Sequence, residues 1–156
     1  MNVNTLVTSL RDAIHDDAAT KAWCQTNYGQ DQQVFVGIDT RNPPEMGQYP
    51  LVHIFPLTKR AGGGTQEHSV GITCGIYDDD MRTTSKANVV ELEGVQNLES
   101  FRKLVESAID DIDFGDVNWL ADMSVSYETI EFFPYFLCSM ELRIDAEIPF
   151  GEDQLQ

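Results

Sequence analysis

The stretch Tyr135-Phe136-Leu137-Cys138-Ser139-Met140-Glu141-Leu142-Arg143-Ile144-Asp145-Ala146-Glu147-Ile148 decides the fold. Phe136, Cys138, Met140, Leu142, Ile144, Ala146 and Ile148 fall on one side of an extended chain. Ser139, Glu141, Arg143, Asp145 and Glu147 fall on the other. Successive side chains alternate across a strand, so this pattern is a strand with one face in a core and one in water. Its ~14 residues exceed the usual ~5–6, too long for neighbours of that length to cover. The charged outer row suits an edge guarded against promiscuous pairing. The strand is therefore expected as an assembly element of the sheet.

Upstream, Met123 to Ile130 alternates weakly, and Phe132-Phe133-Pro134 turns a corner. Before that, Leu98, Phe101, Leu104, Val105, Ala108, Ile109 and Ile112 recur at helical spacing, with Asn97 as the expected N-cap and Glu99 in the first turn. Gly115 follows the helix, and Asn88 to Leu92 reads as a short strand closed by Gly94. From Glu67 to Tyr77, Val70, Ile72, Cys74 and Ile76 face one way and Ser69, Gly71, Thr73 and Gly75 the other. Two glycines on one face predict a bulge or a close approach by another backbone. Asp78-Asp79-Asp80 ends this strand in a turn.

Lys59-Arg60-Ala61-Gly62-Gly63-Gly64-Thr65 is expected to be a flexible connection, a mobile hairpin tip. Two more strands are expected, at Leu51–Phe55 between Pro50 and Pro56 and at Gln33–Ile38, with the loop Asp39-Thr40-Arg41-Asn42-Pro43-Pro44 between them. At the N-terminus, Val3, Leu6, Val7, Leu10 and Ile14 line one face of a helix that Ala18, Ala19 and Ala22 continue towards Trp23, until Gly29 ends it. The order of elements predicts an α+β fold, a mixed, mainly antiparallel sheet with two amphipathic helices packed on one face. A single domain over residues 1–150 is expected, followed by a mobile tail, Gly151–Gln156.

Twenty-six acids against ten bases leave a formal net charge of −16. The bases form no stripe, which argues against gripping nucleic acid or an anionic membrane through phosphates. Solubility and mutual repulsion account for the acidity most simply. No run approaches the ~20 apolar residues of a membrane span. Residues 1–4 show no secretory signal, and three separated cysteines make no disulfide framework; both suit a reducing cytoplasm.

Recognisable chemistry is not expected. Gly62-Gly63-Gly64 lacks the lysine and following helix of a phosphate loop. Asp110, Asp111, Asp113, Asp116 and Asp122 depart from calcium-loop spacing, since Gly115 stands at position 5 and Asp122 replaces the bidentate glutamate. A solvated helix end is the better reading of these acids, although they oppose the helix dipole. His15, His53 and His68 form no ligand spacing; His53 and His68 fall in strands that can lie side by side, which leaves a two-ligand site open. Cys74 and Cys138 fall on apolar faces, where they act as small hydrophobes. No nucleophile elbow is present. The chain is therefore expected to be no enzyme, with no catalytic, cofactor or metal site. Two other classes stay open: an acid-cluster metal-binding domain and an acidic DNA mimic.

The layout resembles the tail terminator, or tail-completion, proteins of long-tailed bacteriophages. The elements that carry the resemblance are the helix Val3–Trp23, the strand-loop-strand Gln33–Phe55 with Asn42-Pro43-Pro44 and Tyr49-Pro50-Leu51-Val52-His53-Ile54, the strand Val70–Tyr77, the helix Leu98–Ile112, and a terminal hairpin ending in Leu142-Arg143-Ile144. Related neck and head-completion proteins share this order. The resemblance implies a structural virion protein of the tail or neck, assembled in the host cytoplasm as a ring, expected as a hexamer. That ring would cap the tail tube, stop its polymerisation and meet the head connector. Its implied partners are other copies of itself, the tail tube protein, the connector or neck protein and the sheath, with DNA passing through the lumen unbound and no membrane. Expected contact residues are Asn42, Pro43, Pro44, Tyr49, Lys59, Arg60, Gly62, Gly63, Gly64, Glu141 and Arg143, together with the edges of the strands at Val70–Tyr77 and Tyr135–Ile148.

Overall fold

The computed structural model describes residues 3–62, 65–83, 88–113, 122–127 and 133–147. Gly63, Gly64, Gly115, Asp116, Ile130, Phe132, Ile148 and the tail 151–156 lie outside them. The N-terminal apolar stripe folds as expected into α1 (Val3–Asp16), with Leu6, Leu10 and Ile14 fully buried. The helix does not run on to Trp23. Asp17 is extended and caps a second helix, α2 (Ala18–Tyr28), its Oδ2 accepting from Thr20 N at 2.6 Å. A short acidic side chain that can bond a nearby N–H favours a cap over a helix interior. The carbonyl of Ile14, left free by the break, accepts from the buried Gln32 Nε2 at 2.7 Å. Asp17→Ala should therefore cost about 1 kcal/mol, read as a drop of roughly 2–4 °C in Tm. Gly29 ends α2 in the left-handed region at φ 71°, as a glycine permits.

The strands are β1 (Gln33–Val36), β2 (Leu51–Gly62), β3 (Thr65–Tyr77), the short pair β4 (Met81–Thr83) and β5 (Val90–Leu92), β6 (Asp122–Tyr127) and β7 (Tyr135–Glu147); α3 (Glu93–Asp110) follows β5. The main sheet has the order β1-β2-β3-β7-β6. Its β1–β2 pairing is parallel and the rest antiparallel, so the mixed α+β class holds. All three helices lie on one side. The strands' core face (Val52, Ile54, Val70, Ile72, Cys74, Ile76, Cys138, Met140, Leu142, Ile144) meets the stripes of α1 and α3. α2 packs on α3, where Trp23 stacks on Phe101 with ring centroids 5.7 Å apart.

Several expectations are corrected. β7 is an interior strand, paired along its whole length with β3, which is also thirteen residues long, and along Cys138–Arg143 with β6. The expectation of short neighbours and an exposed edge fails because β3 is as long as β7; β3 itself is interior too. α3 begins at Glu93, ahead of the expected cap Asn97, with Glu93 at the positive end of the helix dipole. Gly94 lies in that first turn under the Phe136 ring and does not close a strand. The approach over the β3 glycines comes from side chains: the Phe55 ring covers Gly71, and Leu137 and Tyr49 cover Gly75. The bulge lies in β2, between Pro56 and Thr58.

Most of the expected flexible connection is strand. β2 continues through Pro56 to Gly62, pairing Lys59 with His68 and Gly62 with Thr65. At ~3.4 Å per residue the thirteen residues of β3 extend ~44 Å. The eighteen of α3 cover ~27 Å at 1.5 Å each. Residues 57–62 of β2 are exposed, although Ser69 and His68 opposite Thr58 and Lys59 are still buried, so the hairpin outruns the core from Arg60 onward.

Candidate assembly surfaces

The expected contact residues divide among four places. Asn42 and Pro43 sit exposed in the loop after β1 and Pro44 is half-buried there. Asp39 orders this loop, accepting from Arg41 Nε at 3.0 Å, Arg41 N at 3.0 Å and Asn42 Nδ2 at 3.0 Å. Those bonds, the Arg41 side chain first, hold the Asp39 carboxyl below its ordinary range. Tyr49 is a packing residue and not a free surface: it is 9% exposed, packs on Gly75 and stands 5.1 Å from the Tyr135 ring.

Glu141 and Arg143 lie on the helix-free face of the sheet, in its interior. Glu141 accepts from Ser69 Oγ at 2.7 Å and from Arg143 Nε at 3.1 Å, and these bonds lower its pKa, Ser69 most. Around them this face is floored by Ser69, Gly71, Thr73, Gly75 and Ser139, with Thr73 and Ser139 hydroxyls 3.2 Å apart. An ion pair this open to water is screened and adds little to stability, so it orients side chains more than it stabilises.

Lys59, Arg60 and Gly62 lie on the overhanging arm. Lys59 and Arg60 are exposed and form no ion pair among the described residues, although Glu67 opposes Arg60 across the hairpin. In a chain of net charge −16, two adjacent bases that form no ion pair stand out. The other adjacent basic pair, Arg102-Lys103, is engaged by Glu99 and Glu106. Exposed apolar side chains also mark the sheet's two margins, with Val36 and Leu57 at one and Val125 and Tyr127 at the other.

Three features escaped the sequence. Arg102 interrupts the apolar stripe of α3 yet is only 7% exposed. Its guanidinium donates to Glu99 at 2.9 Å twice and to Glu106, while the Tyr127 hydroxyl donates to Glu99 and ties β6 to α3. Arg102, then Tyr127, hold Glu99 down at about 2. Because the folded value lies below the ordinary carboxylate range of about 4.3, this contribution is present above that range and is lost as pH falls through about 2. Glu99 is 34% exposed, so screening limits the contribution to about 1 kcal/mol or less. Glu99→Gln should lower stability at neutral pH and flatten its loss below about pH 5 in urea titrations.

Second, Cys74 and Cys138 are fully buried and directly opposed across β3 and β7. Third, a hollow of about 290 Å³ at the far end of β3 is lined by Asn27, Tyr28, Tyr77, Asp78, Asp79, Asp80, Glu93 and Asn97. Asp78 accepts from Asn97 Nδ2 at 3.0 Å and from Asp80 N at 2.9 Å, so the acidic turn is held by side-chain bonds, and Asn97 serves it in place of capping α3. The two strand histidines do not converge. His53 lies on the helix-free face opposite Thr73, and His68 on the core face opposite Lys59, so the two-ligand site left open by the sequence does not form. Among the described residues no three His, Cys, Asp or Glu side chains are placed to share a metal ion. No described helix is long and apolar enough to cross a membrane. No protein-family model and no curated protein matches the chain.

Proposed function

We propose that this chain is a structural protein that assembles with copies of itself into a ring, in the manner of a phage tail terminator or related neck protein, and performs no catalysis. The observation that carries the reading is the β2–β3 arm, six exposed β2 residues along an open margin of the sheet, of which Arg60–Gly62 pair beyond His68, the last fully buried residue of β3 at that end. Strand that protrudes without a core to join is stabilised by pairing with another chain. The helix-backed sheet, in the element order of that family, supports the same reading.

In such a ring the partners are other copies, the tail tube, the head connector or neck protein and the sheath. DNA threads the lumen without being held. The acidity suits that passage, since carboxylates within about 8 Å of the path repel phosphates at physiological salt. Electron microscopy of the purified protein with tail tubes tests the proposal. Ring-shaped particles seated on one end of each tube are the expected result. A protein that stays monomeric and leaves tube ends bare overturns it.

A further inference from the structure

The ring reading leaves open which surfaces meet, and the sheet's two margins answer it. Gly37 N donates to Ile54 O, so even-numbered β2 residues up to that point turn their peptide groups towards β1 and odd-numbered ones towards β3. β1 pairs only with Leu51–Ile54, and Pro56 has no N–H to offer. Beyond the bulge, Thr58, Arg60 and Gly62 oppose Ser69, Glu67 and Thr65, which leaves the peptide groups of Lys59 and Ala61 pointing outward. Carried across β3 and β7, the same alternation turns Met123, Val125 and Tyr127 of β6 outward at the opposite margin. Among the described residues no strand lies along either edge.

The two edges match in direction, chemistry and charge. β2 and β7 run one way and β3 and β6 the other, so rotating a copy about an axis along the strands sets its β6 antiparallel to the arm of its neighbour. The arm offers Leu57, Lys59 and Arg60; the β6 margin offers Val125, Tyr127 and Asp122. Arg60 and Asp122 both lie on the helix-free face, so a continued sheet keeps them on the same side. Pairing the arm with itself about a two-fold axis would instead bring Lys59 and Arg60 against their own copies, which like-charge repulsion opposes.

We infer that copies of this chain join head to tail by continuing the sheet, the β2 arm of one copy pairing antiparallel with the outer edge of β6 on the next. This inference rests on the ring reading and names its contact. A head-to-tail contact of this kind closes into a ring or runs on as a filament, according to its rotation.

Light scattering on two variants and their mixture tests it. The doubly reversed Lys59→Glu/Arg60→Glu chain keeps only its β6 edge, and Val125→Pro, which removes one outward N–H, keeps only its arm. The wild type should run as a multimer. Each variant alone should run as a monomer with an unchanged circular dichroism spectrum. Their equimolar mixture should form dimers, since one intact arm then meets one intact edge. Val125→Asp replaces the proline variant if that one loses its fold. A multimer unchanged in both variants overturns the edge contact and leaves the ring reading standing. A mixture that stays monomeric overturns the head-to-tail pairing. A wild type that is monomeric both free and in the presence of tail tubes overturns both.

Discussion

Phe101→Ala should destabilise the protein by about 3–5 kcal/mol, the largest single effect expected in this chain. Phe101 is fully buried on α3, and its ring stacks on Trp23 of α2 at an interplanar angle of 20°. It fills the junction of α2, α3 and the sheet, so truncation removes the transfer energy of the ring and leaves a void. Three elements converge there, each held by other contacts, and the site cannot collapse cheaply. Total stability for a domain is about 5–15 kcal/mol, so the variant is expected to sit near the edge of unfolding at physiological temperature. Thermal denaturation should show a Tm roughly 10 °C lower. A fall under about 1 kcal/mol would mean that α2 moves freely to close the gap, contrary to the packing described.

Gly94→Val should cost about 2–3 kcal/mol by overpacking. A Cβ built on Gly94 stands 2.3 Å from Phe136 Cε2 and 2.5 Å from Cδ2. Phe136 is itself only 8% exposed and lies edge-on to the Phe133 ring, so it has little room to withdraw. The gain in helix propensity from replacing glycine is a few tenths of a kcal/mol for valine and does not offset the clash. Adding Phe136→Leu should recover part of the loss, because two residues in contact are not additive. A double variant whose cost equals the sum of the two single costs would show that the clash is relieved elsewhere. Urea midpoints for the four members of the cycle decide it.

These two positions show what the sequence made legible. The stripe containing Phe101 and the alternation of β7 and β3 were readable because burial on one face imposes a period of 3.6 or 2. The class of fold follows from those periods and their order. Gly94 reads as a strand terminator because glycine signals a break locally, whereas here its missing side chain makes room for Phe136 from a strand far along the chain. Asn97 reads as a helix cap for a related reason: a capping residue and a residue that bonds Asp78 look identical in one dimension.

The arm is the least legible element. Lys59 to Thr65 has the composition of a flexible loop, and no local signal reveals that strand pairing runs through it to Gly62. What extends it is the ladder with β3, whose register is set by the buried end of the hairpin. Likewise, the charged row of Glu141, Arg143 and Asp145 suggested an edge, because alternation gives the face of a strand and not its place in the sheet. Arg102 was hidden by its neighbours, since a single charge inside an apolar stripe shows its burial only when Glu99, Glu106 and Tyr127 are placed around it.

The overhang of the hairpin past its helices has a further consequence, for how local stability is distributed along a single strand. One ladder of backbone bonds joins β2 to β3 from Leu51 to Gly62, but the cover of α1 and α3 reaches only its first half. Opening the ladder hydrogen bonds of His53 means lifting a helix from the sheet, whereas opening those of Arg60 only peels two strands apart in water. Amide exchange along β2 is then a gradient, slow where the chain is roofed and rapid where it is bare. The strand thereby divides into a fixed root and a breathing tip, and the tip can open from β3 and close again without unfolding the root.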